Sequence, residues 1–284
     1  MTSHRYAELS QIRMHYLEAG RGSDVVLLLH GWPHTSHAWR HVIPKFESRH
    51  RVLAPDMRGL GDSSRPAAGY DIKSVASDII ELLDQLGIER FSIVGHDWGG
   101  PVAFAVCLLA RLRVRRFAVI DVVLPGDGRA AGGNQGGLRW HHAFHRTPDL
   151  PEALTAGREA AYLNWFYQEY SERAGAVGAD DLAEYVRTYS QPGAMRAGFE
   201  YYRSVEQSNA FASQMIAKHG KLRIPTLTVS GGAGRGRGPE VAESVSLVAQ
   251  NVTSHIIADC GHLVPEEAPD ELSEVLVPFL GGSQ

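Results

Sequence analysis

The stretch Phe91-Ser92-Ile93-Val94-Gly95-His96-Asp97-Trp98-Gly99-Gly100-Pro101 constrains this chain more than any other. Residues 91–94 form a short apolar run that ends abruptly in glycine, which fits a fully buried strand. Residues 101–112 read as a helix, with Pro101 in the first turn, where its missing N–H costs nothing. A strand that passes straight into a helix forces the residue at the bend into a sparsely populated backbone conformation, and small neighbours must leave room for it. Here Gly95-x-Asp97-x-Gly99 puts an acid at the bend. Taken alone, the pentapeptide also fits a plain turn in which Asp97 caps the helix. The rest of the chain has to decide.

It does so by alternation. Residues 25–29, 51–54, 116–121, 224–230 and 254–258 read as buried strands, and 12–18 alternate like a half-buried one. Residues 36–47, 239–249 and 267–280 read as helices. Ile72, Val75, Ala76, Ile79, Leu82, Leu83 and Leu86 recur at helical spacing, and Gly87 closes that helix. Strands alternating with helices imply an α/β fold with a mostly parallel twisted sheet covered on both faces. The alternation stops at Pro125. Residues 126–137 are a glycine-rich connector, and 138–219 are helical in pattern and rich in aromatics, most of them read as the insert's own core. The chain therefore divides into a core, 1–125 and 220–284, interrupted by a helical cap, 126–219.

Composition narrows the partners. A net charge of −4 offers no electrostatic argument for nucleic acid or an anionic membrane surface. No apolar run is long enough to span a bilayer, and the first residues lack a signal peptide's apolar stretch, so the cytoplasm is the expected location. Cys107 and Cys260 lie far apart and form neither a disulfide framework nor a metal-binding pattern. No metal and no organic cofactor is implied.

In open α/β sheets ligands sit outside the carboxyl ends of the strands. Five chemically capable segments fall there: residues 30–33, the Asp97 bend, Asp121, the loop 231–238, and Cys260-Gly261-His262. An acid on such a bend resembles the nucleophile elbow of the α/β-hydrolases, with Asp where esterases carry Ser. An ionised carboxylate can displace a leaving group at saturated carbon and become an alkyl ester. His262, after the last strand, is the candidate base, which a second carboxylate must orient. The loop 231–238 has no acid before Glu240, a residue better suited to a helix's first turn. Asp121, at a strand's carboxyl end, is the candidate. Backbone N–H groups of Trp32 and Trp98 would hold the oxyanion formed when water attacks the ester.

Three stretches carry a closer resemblance: His30-Gly31-Trp32-Pro33 through Arg40, Ala54-Pro55-Asp56-Met57-Arg58-Gly59, and Gly95 to Gly100. They resemble the α/β-hydrolase epoxide hydrolases. Trp140-His141, Gly198-Phe199-Glu200-Tyr201-Tyr202-Arg203, Ser230-Gly231-Gly232 and Cys260 through Glu267 are similar to a narrower group, the bacterial Cif-like epoxide hydrolases. In that group the orienting acid follows the strand after the elbow, as Asp121 does, although it is usually Glu. The resemblance implies that Tyr202 and His141 activate the epoxide oxygen, with adjacent His142 as the rival for the second place. Trp32, Trp98, His142 and Trp165 are the expected substrate contacts, and the aromatic cap suggests an apolar or aromatic epoxide opened to a vicinal diol. A homodimer follows by analogy with the same group. Two other readings stand beside this one. A haloalkane dehalogenase shares the Asp–His–acid core but needs side-chain N–H donors around a halide, often Trp after the nucleophile and Asn after His-Gly; Trp98 fits that pattern, but Trp32 replaces the Asn. A hydrolase-fold receptor would bind a ligand without useful turnover.

Overall fold

The computed structural model describes residues 2–129 and 139–281, so most of the connector read at 126–137, and residue 138, lie outside the described residues. The strands are β1 (Ser3–Glu8), β2 (Arg13–Ala19), β3 (Asp24–Leu29), β4 (His50–Pro55), β5 (Phe91–His96), β6 (Val114–Ile120), β7 (Thr226–Gly231) and β8 (Val252–Ile257). They form one sheet in the order β1-β2-β4-β3-β5-β6-β7-β8. The first two pairings, β1 with β2 and β2 with β4, are antiparallel, and every later pairing is parallel. From β3 the chain winds first toward β4 and then, through β5, the other way. The crevice at that reversal is where an open α/β sheet accepts ligands.

The strands that flank this reversal are largely apolar because both faces are covered. Leu27 and Leu29 of β3 join one buried cluster with Ile79, Ile93 and Phe104, while Val26 and Leu28 join another with Phe46, Val94 and Leu272. Alternate side chains of one strand thus feed opposite cores. Each fully buried Leu or Ile contributes about 1.5–3 kcal/mol relative to exposure.

The helices of the core and its insert follow in chain order. They are α1 (Ile43–Phe46), α2 (Ile72–Gln85), α3 (Gly99–Leu109), α4 (His141–Arg146), α5 (Leu150–Thr155), α6 (Glu159–Tyr170), α7 (Ala179–Tyr189), α8 (Ala194–Arg203), α9 (Val205–His219), α10 (Glu240–Val248), α11 (Val264–Glu267) and α12 (Pro269–Gly281). The Asp71 side chain accepts from the N–H groups of Lys73 and Ser74 and so starts α2. The one long helix expected over 36–47 is instead a 3₁₀ turn, Ser36–Trp39, followed by the short α1. Pro44 has no N–H to extend a continuous helix through that point. Strand β1 carried no sequence signal, since its side chains are mostly exposed and its pattern is not apolar. Among the described residues no helix is long and apolar enough to cross a membrane.

Helices α4 to α9 lie between β6 and β7 in sequence and pack on the crevice. Their tyrosines anchor them: the hydroxyls of Tyr167, Tyr189 and Tyr201 donate to the carbonyls of Pro33, His34 and Arg58. These loop carbonyls are buried with the insert and would otherwise lack partners. Phe166, Tyr185, Phe199 and Tyr202 join the same buried cluster as Trp32 and Val122 of the core.

Candidate active site

Strand register sets two acids side by side. His96 of β5 pairs with Ile120 of β6, so the next residues, Asp97 and Asp121, leave the sheet together at its carboxyl end. Both have left-handed backbone, φ 47° and φ 49°. For non-glycine residues that conformation is uncommon and clusters where a site demands it. A Cβ added at Gly99 would come within 2.3 Å of the Leu29 carbonyl oxygen, and one at Gly31 within 2.3 Å of Asp97 Oδ1. These two close approaches let the β3 loop touch the Asp97 carboxylate.

That carboxylate is well supplied with donors. The Trp32 N–H donates to Asp97 Oδ1 at 2.9 Å, and the Trp98 N–H also hydrogen-bonds the group. His262 Nε2 lies 3.4 Å from Asp97 Oδ2. The other ring nitrogen, Nδ1, is 2.6 Å from Asp121 Oδ2. Asp121 is fully buried, and its Oδ1 accepts the N–H groups of Gly231 at 3.0 Å and Arg237 at 2.9 Å. The loop 231–238 thus supplies no acid but does supply donors to one.

Burial alone would push Asp97 up, but hydrogen bonding and charge from His262 more than reverse this and hold the carboxyl well below its usual range. Burial likewise favours neutral His262, and Asp121 and then Asp97 outweigh it, raising the imidazole above its ordinary value. Each of the two groups thus favours the charged form of the other. Behind them, burial pulls His96 down to about 4, so that ring is neutral. Its Nε2–H donates to the His262 carbonyl at 2.8 Å, and the His262 N–H donates to the Tyr170 carbonyl at 2.9 Å. Glu267 accepts from the N–H groups of Gly261, Leu263 and Glu172, clamping the histidine loop to the end of α6.

The insert forms the opposite wall. A cavity of about 140 Å³ is bounded by Asp97, Trp98, His142 and Tyr202, with Val122 and Arg237 among its other walls. A second, water-sized void joins Asp97 and His262 to Trp32, His141, Tyr170 and Tyr202. Tyr202 borders both. Its ring centroid is 5.1 Å from that of Trp98, 5.6 Å from His141 and 5.4 Å from His142. Burial, reinforced by the Asp97 charge, keeps its hydroxyl protonated well above the usual phenol range. Burial and neighbouring His142 hold His141 neutral, and its Nδ1 is 3.0 Å from the Tyr170 hydroxyl. His142 is also neutral, pulled down to about 3 by burial and then by Arg139 and Arg237.

Of the residues singled out from sequence, Asp97, His262, Trp32, Trp98, His141, His142 and Tyr202 border one or both of these spaces, and Asp121 stands behind His262, bordering neither. Trp165 does not: it packs on Trp140 and Phe166, with centroids 5.5 and 4.9 Å away, and borders neither space. Sequence reasoning missed Tyr170, Arg139 and Arg237. The first sat unremarked in the aromatic stripe, and an isolated arginine carries no periodic signal.

Among the described residues His15, Asp56 and Asp62 come close enough to hold a metal ion. Their donors are already committed, since Asp56 accepts from His15, from the Ser36 N–H and from the Asp62 N–H. The group ties β2 to the loop after β4.

Residues 24–269 match the family model described as the alpha/beta hydrolase fold. The chain is 35% identical to a soluble epoxide hydrolase of Corynebacterium sp. (strain C12), over 98% of this chain and 96% of that one. Among solved structures, Cfl2 from Burkholderia cenocepacia is 37% identical with a TM-score of 0.93, covering 98% of this chain and 96% of the other. The epoxide hydrolase CorEH is 33% identical with a TM-score of 0.89, covering 99% of both chains.

Proposed function

We propose that this chain, which belongs to the α/β-hydrolase fold family and within it to the epoxide hydrolases, opens an epoxide to a vicinal diol through a covalent ester on Asp97. The observation that carries this reading is His262 standing between two carboxylates, 3.4 Å from Asp97 and 2.6 Å from Asp121, with Asp97 and Tyr202 both bordering the larger cavity and all three of Asp97, Tyr202 and His262 bordering the small void beside it.

In the first step an Asp97 oxygen attacks an epoxide carbon and the C–O bond breaks. The departing alkoxide is strongly basic, and Tyr202 hydrogen-bonds and protonates it while His141 donates a second hydrogen bond. The Tyr170 hydroxyl donating to His141 Nδ1 leaves the ring proton on Nε2, the nitrogen that must donate. Ester formation abolishes the Asp97 charge. His262 thereby loses one of the two carboxylates that raised it, while burial still favours its neutral form. The imidazole becomes a base only once there is an ester to hydrolyse.

In the second step His262 takes a proton from water, and the hydroxide attacks the Asp97 carboxyl carbon. The N–H groups of Trp32 and Trp98 hold the oxyanion. Collapse expels the alkoxide, which takes the proton of the new Asp97 carboxyl to give the diol and restore the carboxylate, and the proton held by His262 returns to the Tyr202 phenolate. Asp121 fixes the imidazole tautomer throughout. A dehalogenase reading is weaker, because the Trp32 indole nitrogen lies against Gly198 of α8 instead of being offered to a halide.

The test is to trap the ester. Replacing His262 with Gln removes the base but leaves the nucleophile and both oxyanion donors. Incubated with an epoxide, H262Q is expected to gain the mass of one substrate on the peptide containing Asp97. An adduct from a haloalkane alone would favour the dehalogenase, and no adduct from either would favour the receptor.

A further inference from the structure

The cavity beside Asp97 is unexpectedly cationic. Among the described residues Arg129, Arg139, Arg146 and Arg237 border it against two carboxylates, Asp97 and Asp127, in a chain whose net charge is −4. Arg129 is matched, with Asp127, Glu240 and Glu243 within 3.5 Å. Arg237 is different. Its side chain is 7% exposed, it makes one ion pair, 2.9 Å to Glu240, and its Nε is buried without a hydrogen-bond partner. Its own backbone N–H is bonded to Asp121, which fixes the residue at the edge of the catalytic group. Arg139 is 5% exposed, donates to the Arg235 carbonyl at 3.2 Å, and lies over the Tyr170 ring.

Burial and the neighbouring Arg237 both disfavour the Arg139 charge, and Asp121 and Asp97 offset this only in part. Two guanidiniums so placed carry a desolvation cost that an apolar ligand would deepen, because it brings no acceptor. A carboxylate would relieve it, since its two oxygens match the planar fork of arginine. Pairing with the two guanidiniums would in turn offset the repulsion that such an anion meets from Asp97. Ile72, Val122, Leu124 and Val205 complete the walls and suit a short hydrocarbon segment.

Resting on the epoxide reading above, we propose that the substrate is a short aliphatic epoxide bearing a carboxylate, with Arg237 and Arg139 receiving the carboxylate while the ring faces Asp97. This departs from the apolar or aromatic epoxide that the aromatic insert suggests, because the aromatic rings are spent largely on one another whereas the arginines border the space.

The experiment compares 4,5-epoxypentanoate with its uncharged near-isostere, 4,5-epoxypentanamide. The wild-type enzyme is expected to favour the carboxylate in kcat/KM by about tenfold or more, the scale of one charge-assisted hydrogen-bond pair. In Arg237→Gln and Arg139→Gln the ratio of the two substrates falls toward one, and Arg237→Lys retains part of the preference. Equal turnover of the two substrates by the wild type overturns the inference, as does a parallel loss of both in the variants with the ratio unchanged. Calorimetric binding of pentanoate against pentanamide separates this from the chemistry. Pentanoate binding that Arg237→Gln abolishes, together with no ester on Asp97 from either epoxide, leaves the anion site standing and removes the epoxide reading. No selective binding of pentanoate overturns the anion site itself.

Discussion

Replacing Asp121 with Asn separates the two halves of the proposed reaction. The backbone accepts the change, because Asn is among the residues that tolerate the left-handed conformation found there, φ 49°. The hydrogen bonds do not. In the carboxylate, Oδ1 accepts two N–H groups, from Gly231 and Arg237, and Oδ2 accepts from His262. If the amide oxygen stays with the two backbone donors, the NH₂ faces His262 Nδ1. The ring proton then moves to Nε2, and no lone pair faces Asp97. If the amide turns over, the useful tautomer returns, but two buried N–H groups lose their acceptor at about 1–3 kcal/mol each. Reaching the active arrangement therefore costs about 2–6 kcal/mol, which slows ester hydrolysis between about thirty-fold and about twenty-five-thousand-fold. Attack by Asp97 needs no base and is spared. Rapid-quench mass spectrometry of D121N mixed with an epoxide is expected to show fast ester formation, then diol release slowed by that factor. Diol release at the wild-type rate with no accumulated ester would refute the assignment of Asp121 and of the tautomer argument with it.

The other expectations concern the remaining groups. Tyr202→Phe is expected to slow ester formation by about 10²–10⁴, the range of general acid catalysis, while leaving breakdown of a preformed ester alone; single-turnover quench measures both. Asp97→Asn removes a carboxylate that raises His262, so the imidazole pKa followed by NMR falls below its wild-type value. The raised His262 contributes stability that is complete below the ordinary histidine pKa and fades as pH rises through the folded value. The depressed Asp97 contributes stability present above the ordinary carboxylate pKa and lost as pH falls through its folded value. Unfolding measured across pH should fade at both ends in the wild type and lose the Asp97-dependent parts in D97N. Gly99→Ala forces a methyl to 2.3 Å from a carbonyl oxygen and is expected to cost about 1–3 kcal/mol in urea unfolding, with loss of activity as the elbow shifts.

How much of this could be read from the chain differs by residue. The parallel strands were legible because β3, β5 and β6 from Phe117 on are buried on both faces and therefore rich in apolar residues. Strand β1, on the open edge, needs no such pattern and gave none. Asp97 was legible because a bend between strand and helix leaves glycines as its trace, and Asp121 and His262 because each follows a strand end. Arg139, Arg237 and Tyr170 were not, since their importance depends on which loops the tertiary fold brings to one wall. The loop 231–238 illustrates the limit. It was searched for a carboxylate, and its contribution turned out to be two amide protons and a guanidinium, which leave no local signature. The broken helix at 36–47 failed for a different reason: its apolar spacing suits a helix, but Pro44 interrupts the backbone bonding.

Tyr170 bonds in two directions, through its carbonyl to the backbone of His262 and through its hydroxyl to His141. With Glu267 stapling the end of α6 to the same loop, one short segment works as a gauge block between His262 and His141. Redesign of substrate range accordingly has a safe side and an unsafe one. Changes in α9 can reshape the chamber without touching the contacts that space His262 from His141, whereas remodelling the end of α6 or the arginine wall would shift Tyr170 or Asp121 and with them that spacing.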